Sequence, residues 1–498
     1  MTRMKAMGLL GIVSAICLTI ISCENTTKTD ETEEGTALTK QYCGSCHLPL
    51  MPEVLDKETW LKHVLPAMAK KMGIPTTAGG EYYQVANGSK AAILPFKDWL
   101  RIVEFFKKNA PDSLKTLPRE ALKEDWAVFE LKKPVNKVKV AMTTMVKFLD
   151  NGILSSQNND PVLYSWNQSM VRSAVMPLPS PAVDATLLPN NEVAVTSIGT
   201  LLAVDQPVGK LFTLNLKTKK TETIAGGLPR PIQSQAGDFN KDGRMDWLVC
   251  GFGHERGGLY LVTQQADGQY ESNQIYPEAG ATQVIVDDFN KDGWPDAMAL
   301  FAHGNEGIWL FENDHKGGFT TKNILRFSPV AGSTSFQLVD MNKDGKLDIV
   351  YTSGDNSDYS KILKPFHGVY IYLNQGNYNY KQAYFYPVNG ATKVIAGDFD
   401  LDGDQDLATI AFFADFQHTP AEGFIYFEQD KPLHFQLKAL PIHQLGRWIC
   451  MDANDWDGDG DLDIVLGNYS KGFNNIIGFK QNWATDMPLI MLENKTKK

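Results

Sequence analysis

Asp238-Phe-Asn240-Lys-Asp242-Gly243-Arg-Met-Asp246 places oxygen-bearing side chains at positions 1, 3, 5 and 9 of a nine-residue stretch, with glycine at position 6. The spacing returns four times: at Asp288, Asn290, Asp292 and Asp296; at Asp340, Asn342, Asp344 and Asp348; at Asp398, Asp400, Asp402 and Asp406; and at Asp455, Asp457, Asp459 and Asp463. Successive starts lie 50, 52, 58 and 57 residues apart, and self-similarity at a fixed period of roughly 50 residues marks a repeat architecture. Each copy follows a short apolar or β-branched run, as at Gln283 to Val286 and Lys393 to Ala396. Another comes after it, as at Trp247 to Val249 and Leu347 to Tyr351, and these runs read as strands. A Gly-Ile-Trp-Leu-Phe or Gly-Val-Tyr-Ile-Tyr strand comes later in the unit. Hard oxygen ligands at alternate positions, with glycine where the chain turns sharply and a carbonyl available at position 7, suit calcium. An EF-hand is excluded, because its bidentate glutamate at position 12 is replaced by Val249, Ala299, Tyr351, Thr409 and Leu466. Up to five calcium ions are therefore expected.

These repeats resemble the FG-GAP or VCBS family, whose calcium-loop blades are like those of integrin α-chain propellers. The resemblance is specific from Asp238 to the C-terminus and weak over 120–237, where Val183-Asp184 to Val195 reads as a worn copy with Pro189-Asn190-Asn191 in place of the acidic loop. It implies an all-β propeller over 120–498, of about seven blades. A closed ring must join its first and last blades, and Pro488 to Glu493 is expected to pair near Val138 to Val146.

Upstream of the repeats stands Cys43-Gly44-Ser45-Cys46-His47. In a CxxCH run two thiols one helical turn apart can add to the vinyl groups of a haem while the adjacent imidazole ligates iron. No second CxxC or HxxxH would complete a zinc site, and no βαβ pattern suggests a thioredoxin-like pair. The segment resembles cytochromes c, which implies one covalent haem c in a small all-α domain over 37–115. Met51, Met68, Met72 and His63 are the available distal groups. Thr59 to Gly73 reads as a helix with Thr59 as N-cap, Gly73 as stop and a proline kink at Pro66. Met72, before Gly73 and after Trp60, resembles the distal-ligand position of small cytochrome domains, with Met68 as the alternative. Pro95 to Ala110 carries a helical apolar stripe of Trp99, Ile102, Val103, Phe105 and Phe106.

The N-terminus sets the compartment. Arg3 and Lys5 precede an apolar run from Met7 to Ile21, shorter than the roughly 20 residues that span a bilayer. Residues 1–22 therefore read as a secretory signal. Ile20-Ile21-Ser22-Cys23 resembles the bacterial lipobox, which implies that Cys23 is acylated and anchors the exported chain to a membrane by lipid alone, in the periplasm or at the cell surface. Residues 23–36 hold no large apolar side chain and read as a flexible tether.

Composition is ordinary for globular domains, at 43% hydrophobic and 21% charged, and the formal charge of −10 argues against nucleic acid as a partner. The connections opposite the acidic loops hold Gly253-His254-Glu255-Arg256, His303-Gly304-Asn305-Glu306, Gly354-Asp355-Asn356, Asp415 to His418 and Asn468-Tyr469. They are the candidate surface for a small-molecule or glycan ligand or a partner. Cys250 and Cys450 read as buried free thiols. No Ser-His-Asp arrangement, phosphate loop or dinucleotide fingerprint is recognisable, so no catalytic residue is assigned. Two functions follow. One is a membrane-anchored electron carrier that docks a redox partner protein on its propeller. The other is an oxidoreductase whose propeller oxidises a sugar or alcohol and passes electrons to its own haem. Adhesion would leave the haem without a role.

Overall fold

The structure is a computed structural model that describes residues 32–77, 79–84, 92–117, 121–357, 360–473 and 479–497. The signal at 1–22 and Cys23 lie outside the described residues. The chain divides into two compact units, Met1–Lys115 and Thr116–Lys498. Among the described residues no helix is long and apolar enough to cross a membrane.

In the first unit a helix spans residues 32–42, so the last five residues of the stretch read as tether are helical instead. The reason is packing: a Cβ on Gly35 would lie 2.4 Å from Phe105 Cγ, so the glycine lets this helix approach Phe96–Asn109 closely. Glu34 meets Arg101 at 2.9 Å beside that contact. The apolar stripe expected on the second helix is its buried face, with Trp99, Ile102, Phe105 and Phe106 inside. Between them, Lys57–Thr59 opens a helical run capped by Asp56, which accepts from the Thr59 amide at 3.0 Å and the Thr59 hydroxyl at 2.6 Å. The cap is thus Asp56 and not Thr59. Trp60–Val64 is a wide π turn and Leu65–Lys71 an α-helix. Pro66 has no amide to donate back along the helix, and the wide turn just before it takes the place of the expected sharp kink. Gly73, at φ 75°, ends the helix as expected, with Ile74 N donating to Ala69 O at 2.8 Å.

In the second unit the described residues form seven four-stranded antiparallel sheets. Blade 1 spans Thr143–Pro177, blade 2 Ala182–Leu228, blade 3 Pro231–Tyr276, blade 4 Ala281–Arg326, blade 5 Ser333–Pro387, blade 6 Ala391–Ala439, and blade 7 Trp448–Asn494 with one strand from the N-terminal side. The second strands of blades 3 to 7 are buried at every residue, as their near-continuous apolar runs require. Outer strands such as Tyr270–Tyr276 are polar and largely exposed. An apolar layer fills the gap between each blade and the next, including blades 7 and 1, where Phe148 and Trp166 pack with Trp456 and Met491.

Ring closure differs from the expected pairing. Leu489–Asn494 pairs antiparallel with Phe129–Lys132, in register Phe129 to Asn494 and Lys132 to Met491, and not with 138–146. Residues 138–143 meet the chain just ahead of that strand through isolated bonds, Val138 N to Asp486 O, Ala141 N to Thr485 O and Thr143 Oγ1 to Pro488 O, because Thr143–Leu149 is already the innermost strand of blade 1. The worn copy falls where expected: Pro189-Asn190-Asn191 joins the first two strands of blade 2, Ala182–Leu188 and Glu192–Ser197.

Candidate functional site

All five acidic loops join the innermost strand of a blade to its second strand, in blades 3 to 7. Their backbones are alike. Position 4 (Lys241, Lys291, Lys343, Leu401, Gly458) and the glycine at position 6 have positive φ in every copy, which coils the chain around its own oxygens. In each, the position 6 amide donates to the first aspartate, as Gly243 does to Asp238 at 2.9 Å and Gly460 to Asp455 at 3.0 Å. The carboxylates of Asp398, Asp400 and Asp402 come within 4.8 Å of one another, as do those of Asp455, Asp457 and Asp463.

Position 9 does more than the ligand pattern requires. Asp246, Asp296, Asp348, Asp406 and Asp463 are fully buried at the start of the second strand. In each, Oδ1 accepts an amide at or near the end of the third strand: Gln264, Asn313, Asn374, Gln429 or Asn494. In blades 4 to 7 Oδ2 accepts an amide from position 2 or 3 of its own loop. Burial raises these carboxyls, Asp406 to about 7 and Asp463 to about 6. This clamp was not visible in the sequence.

A second feature was missed as well. Side chains on the inner strands reach across to the next blade: Gln233 accepts from Val284 N at 2.9 Å, Gln283 from Phe336 N at 3.1 Å, Gln337 from Ala396 N, and Asp184 from Ser234 N at 3.1 Å. Asp452 accepts from Phe148 N at 2.9 Å and pairs with Lys147, which ties blade 7 to blade 1. Gln283, Ser335, Gln337, Lys393 and Asp452 line a cavity of about 180 Å³ among these inner strands.

The candidate ligand residues opposite the acidic loops lie at the ends of second strands and in the connections to the third, as expected, and several of them bond to the neighbouring blade. His418 Nδ1 meets Asp415 at 2.9 Å, His303 packs against the Phe252 ring, and His254, Glu255 and Arg256 donate their backbone amides to Asp205. Glu306 is buried, where its carboxylate accepts from Ser333 N and, at 2.7 Å, from Ser333 Oγ. Burial, with Asp355 nearby, pushes this carboxyl up from its ordinary 4.5 to about 8. The folded chain therefore holds a proton that the unfolded chain releases near 4.5, and stability falls as pH rises from about 4.5 to about 8. Glu306→Gln is expected to flatten that decline. Melting temperatures of both proteins at pH 5 and pH 8 check it, and parallel slopes would refute it. Cys250 is buried on the second strand of blade 3, whereas Cys450 is only half-buried on the first strand of blade 7; both are free thiols.

In the first unit Cys43–Ser45 forms a 3₁₀ turn, with Cys43 half-buried and Cys46 exposed, both free. His47 Nδ1 donates to Leu48 O at 2.8 Å, which places the imidazole lone pair on Nε2. Met72 is buried and Met68 half-buried. Among the described residues the buried Trp99 indole N–H has no hydrogen-bond partner. Two thiols in one turn, an imidazole with a free Nε2 and an orphaned indole donor are a donor set that fits a haem.

The FG-GAP-like repeat family matches residues 238–299 and 288–351. A T-cell immunomodulatory protein homolog of Plasmodium falciparum is 32% identical over 162 residues, which are 30% of this chain and 20% of that protein. Cartilage acidic protein 1 of Mus musculus is 26% identical over 207 residues, 39% of this chain and 31% of that one. The chain thus spans a third or less of the curated relatives it matches. Among solved structures, a streptogramin B lyase aligns at 12% identity and TM-score 0.48, covering 75% of this chain and 100% of its own. Strand order and repeat match together make the chain a seven-bladed β-propeller that carries FG-GAP-like repeats.

Proposed function

We propose that the chain is an extracytoplasmic, lipid-anchored electron carrier. Residues 37–115 form a cytochrome c domain, and the propeller, braced by calcium in its five loops, is the platform on which a redox partner or ligand docks. Cys43 and Cys46 attach the haem, His47 ligates from one side, and Met72, or Met68 in its place, ligates from the other. Cys23 carries the lipid, at a periplasmic or cell-surface membrane. The single observation behind this reading is the CxxCH segment whose His47 Nδ1 is already bonded to Leu48 O, since a second bond at Nδ1 fixes the tautomer and ring orientation of a metal-ligating histidine. Bound there, haem supplies a one-electron Fe(III)/Fe(II) couple, and methionine ligation raises its potential. The apolar face of Phe96–Asn109 would shield a bound haem from water, and the Trp99 indole N–H would be a donor for it.

The test is an absorption spectrum of protein made with haem-maturation machinery, oxidised and then dithionite-reduced. The expected result is a covalent c-type spectrum with the weak far-red charge-transfer band of methionine ligation, lost in Met72→Ala and kept in Met68→Ala. Absence of covalent haem would overturn the carrier reading and leave the propeller as a binding module.

A further inference from the structure

The five loops share a backbone but differ in charge. In blades 3, 4 and 5 position 3 is asparagine, and the carboxylate at position 5 already has a side-chain partner: the Arg244 guanidinium on Asp242, the His315 imidazole with Nε2 at 2.8 Å from Asp292, and the Lys346 ammonium with Nζ at 3.0 Å from Asp344. Position 7 in those loops is Arg244, Trp294 or Lys346. In blades 6 and 7 every odd position is aspartate, Asp398 to Asp406 and Asp455 to Asp463, because Asp404 and Asp461 stand at position 7. Among the described residues these ten carboxylates make no ion pair; Lys343, from the neighbouring loop, acts on Asp404 only through its field. Three of their oxygens, Oδ1 of Asp398, Asp404 and Asp461, are buried with no hydrogen-bond partner among the described residues. Asp461 is 1% exposed, and its backbone amide donates to Asp459 Oδ1 at 3.1 Å.

The same two loops hold the seam of the ring. Asn494, at the end of the closing strand, donates its side-chain amide to Phe399 O of the blade 6 loop at 2.7 Å and to Leu462 O of the blade 7 loop at 3.1 Å. Beyond it Thr496 Oγ1 donates to Phe399 O, and Lys497 N to Asp461 Oδ2 at 2.9 Å.

We propose that the blade 6 and blade 7 loops are a class of divalent-cation site apart from the other three, with Asp404 and Asp461 adding a side-chain oxygen each, and that loading them latches the ring shut at Asn494. The inference rests on the calcium reading above and deepens it. Affinity in oxygen-ligand loops follows ligand charge and site rigidity. A cation entering blades 3 to 5 must also displace Arg244, His315 or Lys346 from the carboxylate it needs.

Calorimetric titration of the metal-stripped full chain with calcium tests this. Two sites are expected to bind at least about tenfold more tightly than the rest. Asp404→Asn with Asp461→Asn should merge that class into the weaker one, whereas Arg244→Gln, at a half-buried side chain, with Lys346→Gln, at an exposed one, should tighten only the weaker class. Hydrogen exchange at 129–132 and 489–494 should slow as the first two equivalents bind. Five equivalent sites, or a tight pair indifferent to the double asparagine variant, would overturn the split while leaving calcium binding intact. Exchange at the seam unchanged by the first two equivalents would overturn the latch. No calcium bound at millimolar concentration would remove both the split and the calcium reading.

Discussion

Metal-stripped protein in chelator is expected to melt of order 10 °C below the same protein in excess calcium. A cation that binds the folded form alone stabilises it by RT ln(1 + [L]/Kd), about 2.7 kcal/mol at a hundredfold excess over Kd. Two independent tight sites then contribute about 5 kcal/mol, a large part of a total stability that runs roughly 5–15 kcal/mol, and each kcal/mol moves the melting point of a large domain by about 2–4 °C. The cost of removing the cation is concentrated where five aspartates crowd one turn, at Asp398 to Asp406 and Asp455 to Asp463. Added sodium separates this from simple screening: exposed like charges are relieved by a Debye length near 10 Å at 0.1 M salt, while buried oxygens such as Asp461 Oδ1 still need a ligand. Thermal melts followed by circular dichroism, in chelator with and without sodium and in calcium, are the measurement. Equal melting points in chelator and calcium would sink the metal assignment, and full recovery by sodium alone would reduce it to charge screening.

How much of this was legible depends on range along the chain. The loops could be read because ligand oxygens at alternate positions and a glycine at position 6 are local facts, and the second strands because runs such as Trp247 to Val249 are apolar without interruption. The clamp at position 9 could not be read, because its partners lie 17 to 31 residues downstream and are backbone amides, which carry no residue signature. Ring closure was misplaced for a related reason: Phe129-Glu-Leu-Lys132 is short, with only two apolar residues, while the richer run near Val146 belongs to the inner strand of blade 1. Nothing in the sequence marks Gln233, Gln283 and Gln337 as bridges, and only the circular arrangement of blades brings each to a neighbour's amide. In the first unit the CxxCH motif is five adjacent residues and stands out in the sequence, but the Asp56 cap and the wide turn ahead of Pro66 do not.

Asp463→Ala is expected to destabilise the propeller by about 2–6 kcal/mol, among the largest effects of any single substitution in the chain. The Asp463 carboxylate is fully buried and holds two amides at 2.7 Å each, Trp456 in the loop and Asn494 on the closing strand. Alanine leaves both donors buried without acceptors, at about 1–3 kcal/mol apiece. Asp267→Ala, on an exposed turn where Asp267 accepts only from Gln269 N, should stay within about 0.5 kcal/mol of the parent as surface changes do. Urea denaturation of the three proteins in excess calcium measures the difference, and a parent-like midpoint for Asp463→Ala would show that the loop and the closing strand are held by packing alone. Asp463 joins an acidic loop to the strand that completes the ring. The same variant should therefore lose calcium affinity and become open to protease at 489–494 together, whereas Asp246→Ala in blade 3, far from the seam in the blade order, should lose stability without opening it.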